Sequence, residues 1–387
     1  MSQTTNVALW TSVEQLRTHH ADWDDLWHRS STVSPAARAE PLAVWLSHFA
    51  RAESFRAIVV DDGTKLIAAL PLLLNRRWRC VPFGRLPSND WSSAGELLLD
   101  SASAIPLAVE RLIEATRRLK CVGVKLDKIN PRSATWKPLF KRMDEQEMVC
   151  RMRRVARVGC VKIADSWEAY EASRSRNHRQ QMRKHLRRIR EQGDLELRIV
   201  KQFDVAEIET LLRRGFEVED RSWKGDAGTA VLRSAGIFEF FCQQARALAQ
   251  RDHLWLVFLE LSGRPIAFEY GWYSKDTYFS PKVGYDADYA RYSPGQLLRY
   301  EMLKQFHETA GPASVDFWGP LTPATERWTT HSYPVVDSMM MPYGAAARMT
   351  RRLGNNMAKV RRVFTTTSRH MLEAFPVGST APVTDRS

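Results

Sequence analysis

The sequence predicts an α/β protein built from two domains, and three observations lead there. Its 387 residues are about twice the ~100–200 residues of a typical domain. Helical and strand periodicities alternate along the chain, and the alternation runs twice, once on each side of residue 160. A composition of 44% hydrophobic and 26% charged residues is that of a folded chain, long enough to bury a core without disulfides or metal.

Each element has its own warrant. Residues 13–30 read as a helix, with Leu16, Trp23, Leu26 and Trp27 near one face. Residues 41–50 form a second helix with Pro41 in its first turn. Strands 55–60 and 65–74 flank Asp61-Asp62-Gly63, a hairpin turn. Strand 96–99, helix 105–119, strand 122–129, helix 137–147 and the extended stretch 154–163 complete the first half. The second half opens on one long helix, 166–191, stopped at Gly193. Strand 195–200 and helices 205–218 and 238–250 follow, then a meander of 254–261, 265–272 and 277–283. Helix 295–309 and strand 314–317 close the pattern. The domains are therefore 1–160 and 161–375, with a Pro/Ser/Thr-rich tail, 376–387, expected to be disordered. The halves have the character of two copies of one unit, although sequence identity between them does not show it.

Several classes are disfavoured. No stretch approaches the roughly 20 apolar residues of a membrane span. The N-terminus lacks a basic region followed by an apolar one, as a signal peptide would have. Five scattered cysteines without a CxxC pair fit reduced thiols in a cytoplasmic protein. The histidines show no ligand spacing, so no metal is expected. Neither a GxSxG elbow nor a GxxxxGK[ST] loop is present, which argues against α/β-hydrolases and P-loop NTPases.

The net charge of +13 sits in two places. Residues 174–190 hold eight Lys or Arg and no acid, and residues 348–369 hold seven and no acid. The remainder is close to neutral, so the basicity points to local anionic partners rather than a general nucleic-acid coat. Arg179 and Arg183 stand on one face of the first segment and are candidates for a phosphorylated substrate or polyanion, against a simply solvated face. The second segment could pack on the core or lie on an anionic membrane surface.

The segment Tyr285-Asp286 to Ser293-Pro294-Gly295-Gln296 carries a strand, a loop and a helix start. Free N–H groups and the helix dipole favour an anion such as a pyrophosphate there, and glycine permits close approach; an ordinary helix cap is the alternative. A second cluster, Glu219-Asp220-Arg221-Ser222-Trp223-Lys224-Gly225, suits a substrate loop or a helix end stopped by Gly225.

These residues carry a resemblance. Glu219 to Ala230 (E-x-x-S-W-K-G-x-x-G-T-A) and Gly284-Tyr285-Asp286 followed by Ser293-Pro294-Gly295 resemble the CelD/BcsL-type acetyltransferases. These belong to the GNAT superfamily and are related to the FemAB transferases. Trp23, Trp27, Trp45, Pro71-Leu72, Phe83-Gly84, Asn89-Asp90-Trp91 and Asp316-Phe317-Trp318-Gly319 resemble further steps of the family. The resemblance covers roughly residues 8–365. It implies two tandem GNAT-like units with mixed sheets and an acceptor cleft between them. It also implies an acyl-CoA or acetyl-CoA co-substrate bound at Ser293, Pro294, Gly295 and Gln296. One departure is Arg327 in Glu326-Arg327-Trp328, where FemAB relatives often carry a Tyr-Lys pair; an Arg cannot serve as base but can fork onto phosphate or carboxylate.

Acyl transfer needs a base and often an acid. Glu219, Glu269 and Asp286 are the candidate bases, with Glu269 in an apolar strand where burial would raise its pKa. Tyr285 or Tyr292 is the candidate acid. Asp90, Trp91, Trp223, Lys224 and Arg327 are expected to line the acceptor site. The acceptor implied is a sugar, an exopolysaccharide precursor or another small amine or alcohol. The alternatives are a FemAB-like aminoacyl transferase using charged tRNA and a non-catalytic scaffold of a polysaccharide synthase.

Overall fold

A computed structural model describes residues 5–77, 81–102, 105–119, 121–146, 148–163 and 166–341. One mixed sheet runs through them. Its strands are β1 (Asn6–Trp10), β2 (Phe55–Asp61), β3 (Leu66–Arg77), β4 (Val81–Arg85), β5 (Leu98–Leu99), β6 (Gly123–Ile129), β7 (Val149–Lys162), β8 (Leu195–Val200), β9 (Leu254–Leu261), β10 (Arg264–Ser274), β11 (Thr277–Tyr285), β12 (Ser314–Pro320) and β13 (His331–Met341). The spatial order is β1-β2-β3-β4-β6-β13-β7-β12-β11-β10-β9-β8, with β5 beside β3.

This order is a palindrome. Exchanging β1 with β8, β2 with β9, β3 with β10, β4 with β11, β6 with β12 and β7 with β13 returns the same sheet. Each half is a GNAT-like unit: antiparallel strands, then a helix crossover to a parallel strand. β4 pairs parallel with β6, and β11 pairs parallel with β12. The last strands are traded, since β7 pairs with β12 of the second half and β13 pairs with β6 of the first. Residue 160, the boundary expected from sequence, lies inside β7, where the two halves share the sheet.

Alternating side chains split each strand between two faces. Phe55, Ala57 and Val59 of β2, with Leu254, Leu256 and Phe258 of β9, enter a core shared by both halves. Helices His20–Arg29 and Ala39–Phe49 cover it from the first half, and Ile208–Asp220 and Ile237–Ala249 from the second. On the opposite face, Ile105–Arg118 and Trp136–Glu145 cover the first half. Arg176–Arg190 and Pro294–Glu308 cover the second.

Several elements differ from expectation. The 13–30 helix is two, Val13–Thr18 and His20–Arg29, parted at His19. The 166–191 helix is also two, Trp167–Ala172 and Arg176–Arg190, because the Ser175 hydroxyl accepts from His178 N and caps a fresh helix. Strand 96–99 shrinks to Leu98–Leu99. β1, β4 and the central β13 had no counterpart in the sequence reading. The tail 376–387 and the basic segment 348–369 lie outside the described residues.

Candidate active site

β11 and β12 are joined by only three rungs, Thr277–Phe279 against Ser314–Asp316. Beyond them no rung joins the two strands, β11 running on to Tyr285 and β12 to Pro320, which leaves an opening in the ladder. The helix Pro294–Glu308 starts on one side of this opening. Its Ser293 adopts a left-handed backbone (φ 54°), and the hydroxyl makes no capping bond. Gln296 N and Leu297 N bond back to the Ser293 carbonyl at 2.9 and 3.1 Å, and Gly295 N, the remaining donor of the first turn, has no partner among the described residues. A Cβ on Gly295 would meet only Tyr285 Cδ1, at 3.8 Å, so a ligand can approach the backbone there. Gln296 Oε1 accepts from Trp328 Nε1 at 2.8 Å, which ties the helix start to the segment carrying the exposed Arg327.

The face shared by both halves holds the second side of the opening. Lys282 of β11 extends towards the first half, with Nζ 4.4 Å from the Trp91 ring centroid and 5.8 Å from that of Phe241. It makes no hydrogen bond or ion pair among the described residues. Burial, and then the neighbouring Lys224, bring its pKa down to about 8. Trp91 is delivered by a turn in which the Asn89 side chain accepts from Trp91 N and Ser92 N, both at 2.9 Å. Asp90 pairs with Lys128 at 3.5 Å on the exposed rim.

The expected substrate loop borders the same place. Helix Ile208–Asp220 ends before Gly225, because Ser222 caps a new turn, Trp223–Asp226. Lys224 Nζ donates to Glu219 Oε1 at 2.7 Å and to the Val283 carbonyl of β11 at 2.9 Å. Glu219 Oε2 accepts from Val231 N at 3.1 Å. Gly284 allows this approach, since a Cβ there would lie 2.7 Å from Glu219 Cα. Trp223 projects into solvent, 46% exposed.

The carboxylates sort by their partners. Asp286 is buried, and its Oδ2 accepts from Arg221 and Arg264 at 2.8 Å each while Oδ1 accepts from Asp288 N at 3.1 Å. Glu219 is the clasp just described. Glu269 has no exposed surface and lies 3.8 Å from Arg299; burial raises its pKa and the guanidinium opposes the rise. All three are paired with cations. Tyr285 stands beside Gly295 on the helix side, and Tyr292 packs in the core below it. Arg183 pairs with Glu171 at 3.0 Å, while Arg179 Nε is buried with no hydrogen-bond partner among the described residues. Both belong to the helix that packs on the same face as Pro294–Glu308, away from the Trp91–Lys282 side.

Asp316 was quoted in the sequence motif but not as a site residue. It forms the last rung before the strands part. Its Oδ1 accepts from Trp318 N at 2.7 Å, and its Oδ2 accepts from Tyr333 OH at 2.8 Å. Burial drives its pKa up to about 6 against those hydrogen bonds. Trp318 has φ 54°, a conformation that costs roughly 1–3 kcal/mol for a bulky residue and persists where the surroundings enforce it. Burial, and then the Asp316 carboxylate, hold the Tyr333 phenol above its ordinary pKa, and Glu96 of the first half, itself pushed up to about 7 by burial, adds a smaller push. Lys282 carried no sequence signal, because a lysine in a strand is commonplace; only its position opposite Trp91 singles it out. Among the described residues no group of His, Cys, Asp or Glu is arranged to hold a metal ion. No helix among them is long and apolar enough to cross a membrane.

Residues 176–328 match a family model described as an acetyltransferase (GNAT) domain. No curated protein matches the chain. Among solved structures, FemX is 9% identical with a TM-score of 0.57, over 86% of this chain and 98% of that one. The C-terminal domain of a protein named as a lysylphosphatidylglycerol synthetase, from Agrobacterium fabrum, is 13% identical with a TM-score of 0.54, over 87% and 95%. L-PGS from Bacillus licheniformis is 11% identical with a TM-score of 0.52, over 85% and 94%. At such identities the likeness is one of fold.

Proposed function

We propose that the chain is an acyl-CoA-dependent N- or O-acyltransferase of the CelD/BcsL type. The acyl donor binds at Ser293–Gln296 and threads between β11 and β12. The observation that carries this reading is the parting of those strands beside a helix start whose Gly295 amide is free and unobstructed. Phosphates suit that helix start, and the unpaired strand edge suits an extended amide-bearing arm. The thioester carbon then reaches the last rung, near Asp316. An acceptor amine or hydroxyl enters from the Trp91–Lys282 side and attacks that carbon. The new C–N or C–O bond forms, the C–S bond breaks with its electron pair leaving on CoA as the thiolate, and the acceptor proton passes to the Asp316 carboxylate. A sugar or polysaccharide precursor is the acceptor we favour, because the half-buried Trp91 ring stands beside Lys282, whose Nζ makes no hydrogen bond or ion pair among the described residues.

A second reading is favoured by one feature. The basic helix Arg176–Arg190 packs beside the donor loop on the donor face. That placement also suits a FemAB-like transferase drawing on charged tRNA. Calorimetry with acetyl-CoA and with charged tRNA, alongside an assay for CoA release, separates the two. Saturable acetyl-CoA binding lost in Gly295→Val supports the first reading. Binding of tRNA alone supports the second, and binding of neither removes both.

A further inference from the structure

A cavity of about 500 Å³ opens on the shared face, away from the strand opening, where the helices of the two halves meet. Its size is that of a small-molecule pocket. Its walls carry Arg17 and Arg38 from the first half, and Arg246 and Arg251 from the second. Asp24 and Glu40 are the only carboxylates among its lining residues. Just outside the lining, Glu14 lies 3.7 Å from Arg17 and Glu209 lies 3.1 Å from Arg246, so Arg251 is the one of the four cations that makes no ion pair among the described residues.

The carboxylates are already occupied. Asp24 Oδ2 takes Arg38 at 2.6 Å, and its Oδ1 accepts from Ala39 N at 2.9 Å. Glu40 faces Arg17 at 3.5 Å. Arg38 is 4% exposed and fixed in place. Its Nη1 donates to His253 Nε2 at 2.8 Å, and His253 Nδ1 in turn bonds to the Tyr273 carbonyl at 2.7 Å. Burial holds the His253 pKa down to about 4, so its Nε2 is a neutral acceptor for that bond. The Arg251 guanidinium, by contrast, makes no hydrogen bond or ion pair among the described residues. The cavity therefore has a rigid buried cation at its base and an unpaired one at its rim.

We propose that this cavity binds a small multivalent anion, carrying phosphate or carboxylate groups, that bridges the two halves. Arginine suits this role, because its planar fork matches both groups. The bridging wall, helix Ile237–Ala249, also reaches the candidate active site. Gln243, Arg246 and Ala247 line the cavity. On another face of the helix, Gln244 Nε2 donates to Ser92 Oγ at 3.2 Å, next to Trp91, and Phe241 lies beside Lys282. An anion held across the cavity would brace the helix against which the Trp91 turn rests.

The test is calorimetry on the full chain with inorganic pyrophosphate and, separately, with citrate. One site is expected, for one probe or both, and the probe that binds names the chemistry. Arg251→Glu is expected to weaken that binding at least tenfold. Because the basic helix and the helix start at Gly295 could also attract these probes, the Arg179→Glu/Arg183→Glu and Gly295→Val variants serve as comparisons and should retain the Arg251-dependent site. Arg17→Gln, on the opposite wall, should weaken binding in the same direction as Arg251→Glu. Failure of both probes to bind, or binding that follows the Arg179/Arg183 or Gly295 changes and ignores Arg251, overturns the proposal. The result is independent of the acyltransferase reading, which Gly295→Val tests at a separate place.

Discussion

Glu219→Gln decides whether Glu219 is a base or a clasp. The side chain is 2% exposed, bound to Lys224 at 2.7 Å and to Val231 N at 3.1 Å. Removing one member of a buried ion pair costs roughly 3–5 kcal/mol. Lys224 keeps 24% of its side chain in water and retains the Val283 carbonyl, so about 3 kcal/mol, the lower end, applies here. Residues 1–342 form one compact unit. At about 2.1 cal/mol/K per residue, that unit unfolds with roughly 0.7 kcal/mol/K, so the melting temperature should fall by about 4 °C. Lys224→Met should cost at least as much, since it strands a buried carboxylate. The double variant Glu219→Leu/Lys224→Met should recover part of the loss, giving a coupling above about 1 kcal/mol. Calorimetric melting and CoA-release kinetics are measured on the same preparations. Loss of a general base removes about 10²–10⁴ of the rate. A Glu219→Gln protein that melts with the wild type while turnover falls by that factor would refute the clasp and restore Glu219 as the base.

Gly295→Val should weaken acetyl-CoA binding at least tenfold and leave melting unchanged, because only Tyr285 Cδ1 lies near the added carbon; unchanged binding would move the donor site elsewhere. If Asp316 takes the acceptor proton, turnover should decline as pH falls through about 6, and Asp316→Asn should abolish that limb. Stability runs the other way: a raised carboxyl pKa contributes stability that is fully present below about 4 and lost as pH rises through about 6, so Asp316→Asn should melt no lower than wild type at pH 8. Charge reversal at Arg179 and Arg183 should reduce binding of a polyanionic or phosphorylated substrate, and added salt should do the same to wild type; turnover indifferent to both would mark that face as merely solvated.

The parts of the site that sequence made legible are those held by local chemistry. Ser293-Pro294-Gly295 announces a helix start, and Glu219 to Gly225 announces the end of a helix, since short-range bonds determine both; the Ser222-capped turn that follows had no counterpart in the sequence reading. Most of what escaped depends on distant partners. His331–Met341 contains Pro334, which argues against a central strand. The strand survives because β6 pairs only with residues 336–340, so at Pro334 β13 has a neighbour on one side alone. The same holds for chemistry. Asp286 looks like an available carboxylate until Arg221 and Arg264 are seen to close on it from separate segments. Lys282 and Asp316 acquire meaning only when Trp91, from the other half, and the last β11–β12 rung are in place.

The two halves repeat one plan, yet they divide its use. Both parallel pairs stop after three rungs, Phe83–Arg85 against Gly123–Lys125 and Thr277–Phe279 against Ser314–Asp316. Both second strands carry a left-handed residue soon afterwards, Lys128 at φ 55° and Trp318 at φ 54°. The difference lies in what joins the preceding strand to its helix. In the second half the connection is the short 286–293 loop, clamped by Asp286 and ending in a helix start with a free Gly295 amide. In the first half it is the longer 86–104 segment, and the helix opens on Ile105-Pro106 without that glycine. The extra length carries Asn89, Asp90 and Trp91 across to Lys282. On the proposed reading, the second unit supplies the donor helix start, while in the first the corresponding loop forms a wall beside Lys282. The exchange of β7 and β13 makes that arrangement durable. Moving one half against the other would break the β13–β7 ladder, eleven registered pairs from His331–Cys160 to Met341–Val149. The cleft is therefore expected to open through its loops and side chains, with Trp91 and Trp223 as its movable edges, rather than by hinging of the halves.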